Sequence, residues 1–181
     1  MNQKGLSLIE LLLAIALLGL LLKLSSGAWQ PLVEAQRRQL HAEQLIAGLR
    51  SARTEAITQN RDVVIHGLNG EWSQGWRIIL DLNGQGQEDP DNPVLVERRI
   101  DSKAAIVGNR PVRHSVRFNG IGAPLLESGA FQAGTLHICD ASEGISHLQI
   151  VLSKTGRASL RRDTAEQALC AGQASEQRAD A

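Results

Sequence analysis

The chain has 181 residues, and its 19 Lys and Arg are balanced by 19 Asp and Glu, so the formal net charge is zero. Less about 50 residues for a long N-terminal helix, that length leaves roughly 120 to 130 residues, enough for a single globular head and no more. Charge balance excludes a chain whose overall field attracts polyanions, so any such contact must come from local patches; with no Tyr, two Phe and three Trp, base stacking on single strands is a poor mechanism.

In chain order, Lys4-Gly5-Leu6-Ser7-Leu8-Ile9-Glu10 leads into an unbroken apolar run from Leu11 to Leu22. Glu10 thus stands inside a potential membrane span. An acidic residue at mid-membrane costs about 2.5 to 3.5 kcal/mol, and less near the end, so this carboxylate calls for a partner, and an amine is the nearest candidate. An ordinary secretory signal is the competing interpretation, with Lys4 as its basic end and Ser26-Gly27-Ala28 as its cleavage site before Trp29. Two features oppose it: Glu10 interrupts the apolar region, and Leu6 to Leu22 exceeds the usual signal core of about 7 to 15 residues and is long enough to span. Lys4 before the run and Lys23 after it leave the charge bias uninformative about orientation.

Ser25-Ser26-Gly27 and Pro31 predict a kink or locally extended stretch after the apolar run, since Gly costs about 1 kcal/mol in a helix interior and Pro about 3. From Leu32 to Asn60 a second helical stretch carries Ala42, Leu45, Leu49, Ala52 and Ala56 on one face, with Ile46 and Ile57 beside them. Arg50, Arg53 and Glu55 flank that line as solvated or capping charges. Thereafter the period shifts towards two. Strands are predicted at Val63–His66, Trp76–Leu80, Val94–Ile100, Ala105–Val107, Val112–Phe118, Thr135–Cys139, Leu148–Leu152 and Arg157–Arg161. Their separators, including Leu68-Asn69-Gly70, Asn119-Gly120 and Thr155-Gly156, are turn chemistry. Short strands with short connections pair antiparallel, so the expected fold class is α+β: one or two antiparallel sheets packed on the amphipathic half of a long helix. Residues 171–181 are small and polar and are expected to be disordered.

Cys139 and Cys170 are an even pair in a chain whose apolar N-terminus sends the rest across a membrane into an oxidising compartment. A disulfide is the favoured reading over two unpaired thiols; it would close a loop of about 30 residues and contribute about 2 to 4 kcal/mol.

The N-terminal residues resemble a type IV prepilin. That resemblance implies a leader peptide of residues 1–5, cleavage by a prepilin peptidase after Gly5, N-methylation of Leu6, and pairing of Glu10 with the terminal amine of a neighbouring subunit. Leu6 departs from the Phe usual at its position. Further along, Leu49 to Ile57, Gly75-Trp76 ahead of Asp81-Leu82-Asn83-Gly84, Phe118-Asn119-Gly120 and Gly156-Arg157 are similar, in order and spacing, to the GspH or FimT/FimU branch of minor pilins and pseudopilins. The family implies residues 6–28 as a membrane-spanning and filament-core helix, and 29–170 as a periplasmic head that includes the amphipathic helix 32–60. It also implies minor and major pilin subunits and the inner membrane as partners, with no cofactor and no small-molecule substrate. Within it, a type IV pilus subunit acting in assembly or at the tip competes with an H-type minor pseudopilin of a type II secretion system.

Asp81, Asn83, Asp89 and Asp91 half resemble a calcium loop, but Asn92 stands where a closing bidentate Glu belongs, so a solvated hairpin tip is the better expectation. His41, His66, His114, His137 and His147 are scattered. His137 and Cys139 share a strand face without the further ligands a zinc site needs, so no metal is expected. No nucleophile, carboxylate pair or phosphate loop has catalytic spacing, and the expectation is a protein that is not an enzyme. The sharpest ligand candidate is Lys154, Gly156, Arg157, Arg161 and Arg162, with Arg113, Arg117 and Arg110 as further cations. In FimT-like pilins linked to DNA uptake, a Gly-Arg-x-Arg motif at this place contacts DNA. This chain keeps Gly156 and Arg157 but has Ser159 for the second Arg, and Arg161 lies on the same predicted face about 7 Å further along. Ordinary solvated strand charges are the favoured reading of this stretch; the alternative worth testing is double-stranded DNA as a partner, held by its phosphates with a salt slope near −0.9 per phosphate.

Overall fold

Helix α1 runs from Leu8 to Gln59 in the computed structural model, which describes residues 7–100, 105–140 and 144–171, and for 20–28 the backbone alone. Pro31 lies inside it. The locally extended stretch expected there does not form, because one Pro deletes a single donor from a long ladder. Residues 1–6 and the tail from 172 lie outside the described residues, and with them the expected leader, the methylation site and all of the expected disordered tail but Ala171.

The chain divides into two units, residues 1–36 and 37–181. In the first, Ser7 caps α1: the Glu10 amide donates to Ser7 Oγ at 3.3 Å and to its carbonyl at 3.1 Å, satisfying a donor that the helix start leaves orphaned. Leu8, Ile9, Leu11, Leu12, Leu13, Ile15, Leu17 and Leu18 are all more than half exposed. A helix apolar all round is one that proteins bury or place in lipid. Among the described residues, no helix is long and apolar enough to cross a membrane; the expected span, 6–28, also takes in Leu6.

In the second unit, the later half of α1 buries the expected stripe, Ala42, Leu45, Ile46, Leu49, Ala52 and Ala56, whereas Ile57 is left 48% exposed. Gly48 completes that face, since a Cβ there would meet the Trp76 ring at 2.8 Å. Asn60, at φ 48°, ends the helix: its amide donates to Ile57 and that of Arg61 to Ala56, a left-handed cap that satisfies two carbonyls.

Two antiparallel sheets pack on this face. The first has the order β3 (Val94–Arg99), β2 (Glu71–Leu80), β1 (Val63–Leu68), β5 (Ser115–Phe118); the second runs β4 (Ala105–Gly108), β6 (Gly134–Cys139), β7 (Ile145–Leu152), β8 (Ala158–Arg161), with β9 (Ala165–Glu166) also on β7. Strand β2 starts before the expected Trp76 because Asn69 and Gly70, both at positive φ, make a two-residue hairpin turn opposite the Leu68–Glu71 pair. Strand β5 starts later than Val112 because Arg110–Val112, with Pro111 inside, forms a 3-10 turn. One core cluster joins the α1 stripe to Ile65, Trp72, Ile78, Phe118, Leu136, Ile138, Ile150, Leu152 and Ala158. Ser73 Oγ joins the two sheets by accepting from the Ile106 amide at 2.9 Å, and Trp72 Nε1 ties β2 to the 3-10 turn by donating to Val112 O at 3.0 Å.

Candidate functional site

The N-terminal site is described only at Glu10, exposed on the first turn of α1; among the described residues it has no ion-pair partner. Gly5 and Leu6 fall outside the description.

The basic hairpin is built by β7, a five-residue connection and β8. The Gly156 amide donates to Ser153 O at 2.9 Å, and the Arg157 amide donates to Ser153 Oγ at 3.1 Å. Alternation then follows the sequence expectation: Ala158 is 4% exposed and Leu160 packs on the core, while Lys154, Arg157, Arg161 and Arg162 are exposed. Gly156 is buried at φ 80°, and a Cβ there would stand 2.5 Å from Gly122 O. Among the described residues, none of these four cations has an acid within 4.0 Å. The contrast with the partly covered cations is clear: Arg38 pairs with Asp140 at 3.1 Å and Arg77 with Glu97 at 2.9 Å.

The structure does not bring all the candidate cations together. Arg113 and Arg117 belong to the first sheet and its approach, whereas the hairpin edges the second. Arg117 must be removed from the set of free cations: its side chain is 14% exposed, Nη1 lies 2.8 Å from Asp81 Oδ2, and Nη2 donates to Gly84 O at 2.9 Å. Arg113 stays exposed, with Arg110, on a groove of about 320 Å³ whose lining also includes Glu88 and Glu127.

The acidic loop is not a purely solvated tip. Asp81 is 5% exposed, with Oδ1 accepting from the Gly84 amide at 2.9 Å and Oδ2 facing Arg117. Asn92 accepts from the Leu82 amide and donates to Gly86 O. These oxygens are committed to closing the loop and supporting Arg117. His137 is buried between Ser146 Oγ, 3.1 Å from its Nδ1, and the Gln167 side chain, 3.3 Å from its Nε2; burial holds its pKa below the ordinary value. Cys139 and Cys170 form a disulfide and pack with Ala105 and Val107.

Two residues taken from the sequence as solvated or capping charges also reach backbone carbonyls, Arg50 from an exposed position and Arg53 from a half-buried one. Arg53 Nε donates to Gly122 O at 2.9 Å, and Arg50 Nη2 to Ala158 O at 3.3 Å. Their i, i+3 spacing predicts a shared side of α1, but nothing in the sequence says which loops that side meets.

An apolar amino-terminal helix carrying an early carboxylate, leading into a helix that backs two antiparallel sheets, defines a pilin-like filament subunit. Residues 41–156 match the family model described as Type II transport protein GspH, and residues 1–22 match the prokaryotic N-terminal methylation motif. The chain belongs to the GspH family of type IV minor pilins and pseudopilins. The pilin-like protein PilA1 of Thermus thermophilus is 29% identical over 171 residues, covering 88% of this chain and 99% of its own. The type IV minor pilin FimU of Pseudomonas aeruginosa PAO1 shares the fold in two crystal forms. One has a TM-score of 0.59 at 21% identity, covering 76% of this chain and 98% of the crystallised FimU chain. The other has a TM-score of 0.56 at the same identity, covering 71% and 98%.

Proposed function

We propose that this filament subunit serves a type IV pilus, in its assembly or at its tip, and that its β7–β8 hairpin holds duplex DNA by the phosphate backbone during natural transformation. One observation carries the DNA reading: Lys154, Arg157, Arg161 and Arg162 are exposed on a hairpin edge with no acid within ion-pairing distance among the described residues. Charges so placed can neutralise phosphates and release counterions without first breaking internal pairs. The pilin names of PilA1 and FimU support the pilus.

In this reading a prepilin peptidase cuts after Gly5 and methylates Leu6, residues 6–28 hold the chain in the inner membrane, and the head lies in the periplasm. On assembly the helix leaves the bilayer and packs among minor and major pilin helices. There Glu10 meets a neighbour's terminal amine. An unpaired carboxylate in an apolar filament core would be strongly destabilising, so pairing also selects the register.

A gel-shift titration on duplex DNA at several salt concentrations tests the contact. Binding that weakens steeply with salt and falls in Arg157→Ala and Arg161→Ala is the expected result; no shift at low salt, or full binding by both variants, refutes it. The description of the matching family model favours a second reading, a minor pseudopilin of a type II secretion system without a DNA role. A deletion strain separates the two: loss of pili and transformation supports the first, and loss of exported protein the second.

A further inference from the structure

Helix α1 brings to the hairpin two cations that the turn itself does not need. Arg50 and Arg53 stand on one side of the helix, and both donate to backbone carbonyls, Arg50 Nη2 to Ala158 O at 3.3 Å and Arg53 Nε to Gly122 O at 2.9 Å. Gly156 closes the junction, because a Cβ there would lie 2.9 Å from Arg53 Nε and 2.5 Å from Gly122 O. Hairpin tip, helix turn and the segment after β5 therefore meet at one place.

A carbonyl is a neutral acceptor, so neither guanidinium is cancelled, and among the described residues neither has an acid within 4.0 Å. Each contact uses a single donor of the five that a guanidinium carries. Arg50 is exposed and Arg53 half-buried, so the free donors of Arg50 are open to solvent. Arg50 and Arg53 thus reach the backbone of the hairpin that carries Lys154 and Arg157, and among the described residues none of the four is paired with an acid. Like charges on adjoining elements repel, more strongly where the protein displaces water, and a row of external anions relieves that repulsion.

We infer that the polyanion surface is a composite strip, in which Arg50 of α1 contacts a backbone phosphate beside those held by Lys154, Arg157 and Arg161. The inference rests on the DNA reading above and enlarges its footprint from one hairpin to two elements. The Ala158 carbonyl fixes the guanidinium at the outer edge of β8, so the strip wraps from the strand face round the sheet edge onto the helix. Arg53 acts as its brace through Gly122.

The test is the slope of log affinity against log salt for a random-sequence duplex, measured with the full chain in neutral detergent micelles. Arg50→Gln should reduce the slope by about 0.9, the value for one phosphate contact. Arg50→Lys should restore it, and Arg98→Gln, an exposed cation on β3, should leave it unchanged. An unchanged slope in Arg50→Gln, with Arg157→Ala still lowering it, overturns the composite strip while the hairpin contact survives. An equal fall in Arg98→Gln also overturns it, because the effect would then be one of net charge. If the unaltered protein does not bind, the DNA reading fails and this inference fails with it.

Discussion

Gly156→Ala tests the geometry of the hairpin most directly. Gly156 has φ 80°, and the added Cβ would sit 2.5 Å from Gly122 O and 2.9 Å from Arg53 Nε. A non-glycine residue in the left-handed region costs about 1 to 2 kcal/mol. Forcing a methyl against backbone that cannot rotate away adds about 1 to 3 kcal/mol. The expected loss is therefore about 2 to 5 kcal/mol out of a typical total of about 5 to 15. Gly129→Ala isolates the first contribution, since Gly129 has φ 79° and nothing within 4 Å of its would-be Cβ; it should cost only about 1 to 2 kcal/mol. Urea unfolding of the head from Gln30 onward, which contains the whole core cluster, measures both. Equal losses in the two variants would refute the close packing of the tip on Gly122 and Arg53.

Arg117→Ala leaves the Asp81 carboxylate buried without its cation and should cost about 3 to 5 kcal/mol in the same assay; a loss below about 1 kcal/mol would mean that Asp81 is reached by water. Removing the disulfide by Cys139→Ser with Cys170→Ser should cost about 2 to 4 kcal/mol, with the far-ultraviolet spectrum retained because the main core does not include the sulfurs. Burial holds the pKa values of His41, His66 and His137 below 6.5. In that window the unfolded chain binds more protons, so stability should fall as pH drops below about 6.5. Denaturant midpoints at pH 7.5 and 5.5 check the sign, and a higher midpoint at 5.5 would contradict it.

The helix stripe and the strands were legible because each depends on local period. Ala42, Leu45, Leu49, Ala52 and Ala56 recur at three and four, and β7 and β8 alternate about a glycine turn. What misled was any judgement about company. Arg117 read as a free cation because its partner Asp81 is far away in sequence, and the two meet only where β2 leads into the acidic loop beside β5. Arg50 is exposed as read, but its bond to Ala158 O and that of the half-buried Arg53 to Gly122 O were not legible, since those carbonyls reach the helix only through folding. At Pro31 the helix runs on where a locally extended stretch was one of two expectations, because the hydrogen-bond ladder continues on both sides of it.

By itself the sequence determined the class of protein and the order and type of nearly every element, because hydrophobic period, turn residues and an acid set in an apolar run are short-range facts; it favoured the disulfide between Cys139 and Cys170 that the structure forms. The tertiary structure alone decided which charges are spent inside and which remain available, because neutralisation depends on distance in space and on exclusion of water. Those are set where two sheets and a helix converge, and no spacing along the chain encodes them.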